Sequence, residues 1–509
     1  MWRHAIRIRS MLSDSTRRDF VGLGIAGLTA LAKAVPAFAQ TPGPIAVRQT
    51  AGEQRFAEEP ALTWRPGVPA ADDAITIDPT RTYQEILGFG GALTDASAYM
   101  IDRLDTARRE QFLHELFHPS ELGMSATRIC IGSSDYATEM FSYDEGEADP
   151  ELKRFSVDHD RASVIPQLLA ARKHNPGLFI LASPWSPPGW MKNGGSMLGG
   201  NLKPANFAVY ARYLVKFLEA YAAAGVKVDA ITSQNEVDTD QAGRMPACAW
   251  AQEHEVAFVG KHLGPALAAA GLDTRIWLLD HNFNLWGRAY NTLEDPDVFK
   301  YADGVAWHPY VGSVTAMSRI HDAYPGKHQY ITEGDDQLMA DLVGPIEFAA
   351  TPGPMTEGAG GQSGNRPHRA QDPAAVIARG GLGGIHALRN WARAIINWNL
   401  VLDENGKPNI GPFHGPGMTT IQSQTKEITR GPNYWVLKHL AHATARGAKV
   451  IDSRGSIDQI GHAAIANPDG RISLVVSNTG APRKVQVRMG GAAADVSLPA
   501  DSLTNLSWS

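Results

Sequence analysis

Residues 207–236 read FAVYARYLVKFLEAYAAAGVKVDAITSQNE, and this stretch decides the fold. Phe207, Tyr210, Leu214, Phe217, Leu218 and Tyr221 recur every three or four positions, the period of a helix with one buried stripe. Gly225 follows as a stop. The short run Val228–Thr232 then predicts a buried strand, and it turns polar at Gln234, Asn235 and Glu236. Helix, glycine, apolar strand and polar edge make one repeating unit of an α/β protein.

The unit recurs along the chain. Strand cores are predicted at Ile86–Gly90, Thr127–Ile131, Leu178–Ala182, Val228–Thr232, Arg275–Leu279, Gly304–Trp307, Gln329–Ile331 and Ala394–Asn397. Between strands four and five, Val256, Val259, Leu263 and Leu267 repeat the helical period, with Gly271 as the stop. Alternating strands and helices imply a parallel sheet, and eight strands predict a closed (β/α)8 TIM barrel rather than an open doubly wound sheet. The 50 glycines and 32 prolines, many punctuating short apolar runs, suit so many corners.

Each strand core turns polar or aromatic at its C-terminal edge. Strand two leads to Ser133, Ser134 and Asp135; strand three to Ser183, Pro184, Trp185 and then Trp190; strand four to Gln234, Asn235 and Glu236. Strand six ends in Trp307, His308, Pro309 and Tyr310, strand seven in Thr332 and Glu333, and strand eight in Trp398 and Asn399. In a barrel these edges converge on the face where active sites are built. Carboxylates, amides and tryptophans suit a sugar, with its apolar CH faces and hydroxyl rim. A phosphate would want a glycine-rich turn and basic residues.

Cleaving a glycosidic bond needs two carboxyl groups flanking it. One gives a proton to the leaving oxygen, and the other attacks the anomeric carbon. Glu236 on strand four and Glu333 on strand seven stand across one face, so the reading assigns Glu236 as acid/base and Glu333 as nucleophile. It implies carboxyl groups about 5–5.5 Å apart and retained configuration.

The chain resembles glycoside hydrolase family 30, especially its glucosylceramidase branch. The resemblance is carried by residues 88–95 (GFGGALTD), 128–136, 181–192 (LASPWSPPGWMK), 213–221, Gln234-Asn235-Glu236, His308-Pro309-Tyr310, Thr332-Glu333-Gly334 and 398–403 (WNLVLD). It runs from about residue 75 to the C-terminus. It implies a retaining β-glycosidase on a barrel with an attached β-sandwich, and places acid/base and nucleophile on the same Glu236 and Glu333. It makes Asn235 a partner of the sugar 2-hydroxyl and puts Asp135, Trp185 and Trp398 around the non-reducing sugar. His308 and Tyr310 would orient the carboxylates. It also implies free thiols at Cys130 and Cys248.

The sequence departs from the family in places. Val237 stands where proline usually follows the acid/base, and residues 244–248 (RMPAC) lack the aromatics of ceramide-cleaving members. The segment after Asp403 fits loosely. An insert over 335–378 contains the glycine-rich run 358–365 and is a candidate lid over the leaving-group site.

Four domains are expected: a signal over 1–39, an N-terminal segment over 40–84 that contributes strands to the sandwich, the catalytic barrel over 85–445, and an antiparallel sandwich over 446–509. Arg17-Arg18 before Phe20, an apolar stretch to Ala32 and the Ala37-Phe38-Ala39 ending make the leader a twin-arginine export signal. The mature protein is then periplasmic or secreted in a bacterium, with no stable membrane insertion. Gly22-Leu23-Gly24-Ile25-Ala26-Gly27 matches a nucleotide fingerprint but lies in the leader, outside any βαβ unit. In the sandwich, Val450-Ile451, Ile460–Ile465, Ile472–Val476 and Val485–Val487 are split by residues 467–470 (NPDG) and 478–480 (NTG), with Ala74–Asp78 adding a strand. Few aromatics line it, which favours a buttress over a sugar-binding module. The run Gly380-Gly381-Leu382-Gly383-Gly384 reads as a flexible entry before a helix.

Composition excludes other classes. The net charge is −6 over 509 residues, with no basic stripe for nucleic acid. Two cysteines rule out a disulfide framework and a cysteine-built zinc site. Glu253-His254-Glu255 is not a metalloprotease pattern, so neither metal nor cofactor is expected. The partner is a carbohydrate or glycoconjugate. A β-glucoside of glucosylceramidase type comes first; a β-xylosidase, β-fucosidase or endo-β-1,6-glucanase shares the scaffold. From another class, a non-catalytic carbohydrate binder would not require both glutamates and Asn235.

Overall fold

A computed structural model of the chain describes residues 43–334 and 372–509. The leader and residues 335–371 of the insert lie outside the described residues. Among the described residues eight parallel strands close a barrel: β1 (Gly88–Ala92), β2 (Ala126–Ile131), β3 (Phe179–Pro184), β4 (Ala230–Thr232), β5 (Arg275–Asn282), β6 (Ala302–His308), β7 (His328–Ile331) and β8 (Ala392–Asn397). The seam is shut by β8 on β1, from Ala394 opposite Gly88 to Asn397 opposite Gly91. The predicted helix before β4 is α1 (Phe207–Ala223), and its apolar stripe is buried as its spacing requires.

The barrel interior explains where the polar residues emerge. Leu87, Ala126, Phe179, Leu181, Ala230, Trp277, Ala306, Tyr330, Ala394 and Ile396 plug its lower part. Trp277 stacks on Tyr330 with ring centres 3.7 Å apart. Side chains on a strand share a face every second residue. One step above this plug, the same faces carry Arg128, Ser183, Thr232, His308, Thr332 and Trp398. An apolar floor therefore gives way to a polar chamber within two residues on every one of these strands.

Strand β5 is longer than predicted and irregular. Its register against β6 slips between Leu279–Ala306 and His281–Trp307, and Leu279 and Asp280 both have positive φ (70° and 48°). This is a bulge, which inserts one residue and re-aims its side chain. The residue so inserted is Asp280.

The sandwich is built from both ends of the described chain. Its strands run in the order Gln54–Leu62, Ile45–Ala51, Ser502–Trp508, Ile472–Asn478, Ile460–Ala466, Lys449–Arg454, Ala74–Glu85, Arg483–Met489, Ala492–Leu498 and Arg65–Pro66. Ile45, Trp64, Ile77, Val487, Leu506 and Trp508 lie in one buried core, with Trp64 and Trp508 edge to face at 5.2 Å. These aromatics fill the interior of the module.

Two helices join sandwich to barrel: α2 (Pro373–Arg389) and α3 (Pro432–Ala443). The glycine run 380–384 lies inside α2 and is buried, so it is not a flexible entry. Each glycine costs a helix about 1 kcal/mol relative to alanine. Here tertiary packing overrides that cost: a Cβ on Gly381 would lie 2.5 Å from Leu503 Cδ1, and one on Gly384 2.9 Å from Leu440 Cδ1. The helix must lack side chains to seat against the sandwich and α3. Its first residues, 373–378, also remove that part from the predicted insert. Cys130 and Cys248 are both buried free thiols. Among the described residues no helix is long and apolar enough to cross a membrane.

Candidate active site

Arg128 organises the chamber. The guanidinium is fully buried and donates from Nη1 to Glu333 Oε2 (2.6 Å), from Nη2 to Asn235 Oδ1 (2.7 Å) and Asp280 Oδ2 (2.7 Å), and from Nε to Ser183 Oγ (3.1 Å). A planar fork with five donors suits this task. Its donation to Asn235 Oδ1 fixes the amide, leaving the Nδ2 donors for another partner.

Asp280 is the anionic hub behind it. Oδ2 accepts from Ser183 Oγ and Thr232 Oγ1 (both 2.8 Å), and Oδ1 from Thr332 Oγ1 (2.6 Å), with His308 Nε2 at 3.0 Å. Burial pushes this carboxyl up, but Arg128, His308 and Thr332 outweigh it and hold it far below the ordinary range.

The two glutamates occupy different settings. On Glu333, Arg128 covers Oε2 and Tyr310 donates its hydroxyl to Oε1 at 2.9 Å. On Glu236, Gln241 donates to Oε2 while His308 Nδ1 and His281 Nδ1 lie 3.5 and 3.8 Å from Oε1. His308 Nδ1 is also 3.9 Å from Glu333 Oε1, so one imidazole nitrogen stands within 4 Å of both carboxylates. Burial would raise Glu236, but His281, His308 and Gln241 draw it down to about 2. Burial would lower His308, but Glu333, Asp280 and Glu236 lift it to about 9. In the free site the shared proton therefore rests on His308.

Backbone geometry aims these groups. Asn235 N donates to Pro184 O (2.8 Å) and Glu236 N to Asp280 O (2.9 Å), tying the end of β4 to both neighbours. Glu236 itself has φ of 52°, a conformation that functional loops hold at a cost.

Trp185 and Trp398 stack with ring centres 5.1 Å apart, and Arg128 lies over them at 4.7 and 5.6 Å. Cys130 and Met245 pack in the same cluster, with Phe413 against it. Asp135 is buried beside them, and burial together with the charges of Glu333 and Glu236 pushes its carboxyl well up. Ile410 N donates to Asp135 O at 2.7 Å, so the loop after β8 closes over the end of β2.

All eight side chains singled out in the sequence thus belong to one chamber. Sequence reading missed Arg128, Asp280, His281 and Gln241 as site residues. Leu279-Asp280-His281-Asn282 carries the same apolar-to-polar change as the other strand ends, so a signal was present for β5.

The chain matches the glycosyl hydrolase family 30 TIM-barrel domain over residues 86–337 and the family 30 beta sandwich domain over 447–506. The endo-1,6-beta-D-glucanase neg1 of Aspergillus fumigatus is 30% identical over 486 residues, 89% of this chain and 91% of that protein. The lysosomal acid glucosylceramidase of Mus musculus is 31% identical over 273 residues, 51% of this chain and 53% of that one. A solved endo-beta1,6-glucanase, 27% identical, has a TM-score of 0.78 and covers 92% of this chain and 99% of its own. A barrel whose strand ends bring two glutamates to one histidine, continued by a matching sandwich, makes this chain a member of glycosyl hydrolase family 30, and so a glycosidase.

Proposed function

We propose that the protein hydrolyses β-glucosidic bonds with retention, and that its natural substrate is a β-1,6-linked glucan. The observation that carries the mechanism is the asymmetry of the two glutamates. Glu333 takes one donor on each oxygen, from Arg128 and Tyr310, which fixes its carboxylate in place and aims it into the chamber. Glu236 faces the His308 imidazole, which can return a proton. In the first step Glu333 attacks the anomeric carbon while Glu236 protonates the leaving oxygen, drawing the proton from His308. In the second step Glu236 takes a proton from water, which attacks the same carbon and frees Glu333. Asn235 Nδ2 meets the 2-hydroxyl, a contact of the kind that strengthens in the transition state by several kcal/mol. Trp185 and Trp398 give the sugar an apolar wall.

The sequence reading put glucosylceramide-type substrates first. The order is reversed here because the Aspergillus protein aligns over nearly its whole length, whereas the mouse glucosylceramidase aligns over half of its own. Residues 244–248, without aromatics, agree with this preference. The leader is proposed to export the protein through the twin-arginine route. A panel of pustulan, glucosylceramide and aryl β-glucoside, xyloside, fucoside and galactoside tests the reading. Pustulan cleavage faster than glucosylceramide cleavage supports it. Activity on glucosylceramide or the xyloside alone refutes the glucan assignment while leaving the two-carboxylate mechanism standing.

A further inference from the structure

We propose that Glu236, His281 and His308 form a binding site for a borderline transition-metal cation such as Zn²⁺, and that occupation of this site switches the enzyme off. The metal is an inhibitor here, with no part in the reaction.

The donor set carries the inference. One carboxylate oxygen of Glu236 and one ring nitrogen from each of His281 and His308 lie within 4.8 Å of one another. Glu236 Oε1 is 3.5 Å from one nitrogen and 3.8 Å from the other. Ligands around a tetrahedral zinc at 2.0–2.2 Å stand about 3.4 Å apart. Small rotations of two imidazoles close the remaining gap. Two histidines and a glutamate with an open fourth position are a known zinc-binding set.

A second observation is independent of these spacings. His281 Nδ1 is buried and makes no hydrogen bond, in a side chain that is almost fully enclosed. Buried polar atoms are nearly always paired, so an orphan held 3.8 Å from a carboxylate oxygen needs an explanation.

A third lies behind the rings. His308 Nε2 sits 3.0 Å from Asp280 Oδ1, and His281 Nε2 sits 2.6 Å from Asp238 Oδ1. Each carboxylate stands against Nε2 and so turns the Nδ1 atom toward Glu236. Carboxylates placed this way orient metal-binding histidines and raise their basicity. Gln241 occupies only Oε2 of Glu236, so Oε1 remains for the cation.

Metal binding does not depend on the catalytic roles proposed above; the inhibition does, because it rests on removing Glu236 from proton transfer. Equilibrium dialysis of the purified full chain against Zn²⁺ alone separates the two. The expected result is one Zn²⁺ per chain, lost on adding a chelator. His281→Ala should weaken binding at least about tenfold, and Asp238→Asn by about 10–100-fold. Asp238 is partly exposed, so the second variant keeps the test valid if the first fails to fold. In turnover of an aryl β-glucoside, Zn²⁺ should compete with substrate, and Asp238→Asn should need proportionately more metal. No binding, or binding unchanged in both variants, overturns the site. Binding at this site without inhibition overturns the switch and counts against Glu236 as the acid/base.

Discussion

Replacing Asp280 by asparagine tests the hub that the bulge in β5 creates. The substitution keeps shape but removes a charge and turns one acceptor into a donor. Five donors converge on this carboxylate, from Arg128, Ser183, Thr232, Thr332 and His308. An NH2 group must therefore face at least one of them. Breaking a buried ion pair costs about 3–5 kcal/mol. Arg128 keeps Glu333 at 2.6 Å, so the cost falls at the lower end, about 3 kcal/mol, or a few degrees in Tm. The carboxyl of Asp280 is lowered in the folded state, so its stability is present above pH ~4 and is lost as pH falls further. The melting gap between wild type and Asp280→Asn should accordingly narrow below pH ~4. The same change strips His308 of an anionic partner. His308 is lifted to about 9, so the proton shared with Glu236 leaves as pH rises through that value. The alkaline limb of kcat/KM on an aryl β-glucoside should lie near pH 9 in wild type, and about 1–3 pH units lower in the variant. The limb belongs to the Glu236–His308 pair rather than to either residue alone. An unmoved limb together with an unchanged melt would refute the hub.

Three further substitutions bear on the site. Glu333→Gln should lower turnover of an aryl β-glucoside by roughly 10³-fold or more, because the attacking carboxylate is gone, and azide should not restore product of the same anomer. Glu236→Ala should spare the first step for activated leaving groups but slow the second by about 10²–10⁴, seen as a burst followed by slow release. Gly411→Ala places a Cβ 2.4 Å from Asp135 Cβ, so Asp135 must shift. The expected result is a raised KM with kcat less affected, and a stability loss of about 1–3 kcal/mol in a melt.

The barrel was legible because its signal is local and repeated. Each core between residues 86 and 397 is apolar, and each turns polar where the chamber begins. Glu236, Glu333, His308 and Trp398 could be placed for that reason alone. Asp280 escaped because Arg275–Leu279 reads as a complete apolar strand, and the bulge at Leu279 breaks the period of two that would have pointed inward. Arg128 escaped as a site residue because an arginine inside a strand core reads as an interruption, whereas in the structure it pairs with anions contributed by β5 and by the end of β7. Nothing near it in sequence announces those partners. The run 380–384 misled for the opposite reason. Glycines signal flexibility locally, and only Leu440 and Leu503, far along the chain, show that they permit close packing. Strands at the two ends of the described chain, such as Ile45–Ala51 and Ser502–Trp508, pair over distances that no local pattern encodes.

Double displacement leaves a covalent mark, and that mark is the sharpest test. Incubation with a 2-deoxy-2-fluoro-β-glucoside bearing a good leaving group should slow the second step and trap the sugar on the enzyme. Intact mass should rise by one fluoroglucosyl group, and peptide mapping should place it on Glu333, with Glu236→Ala still labelled and Glu333→Gln not. A label on any other side chain, or product released with inverted configuration and no adduct, would contradict the account.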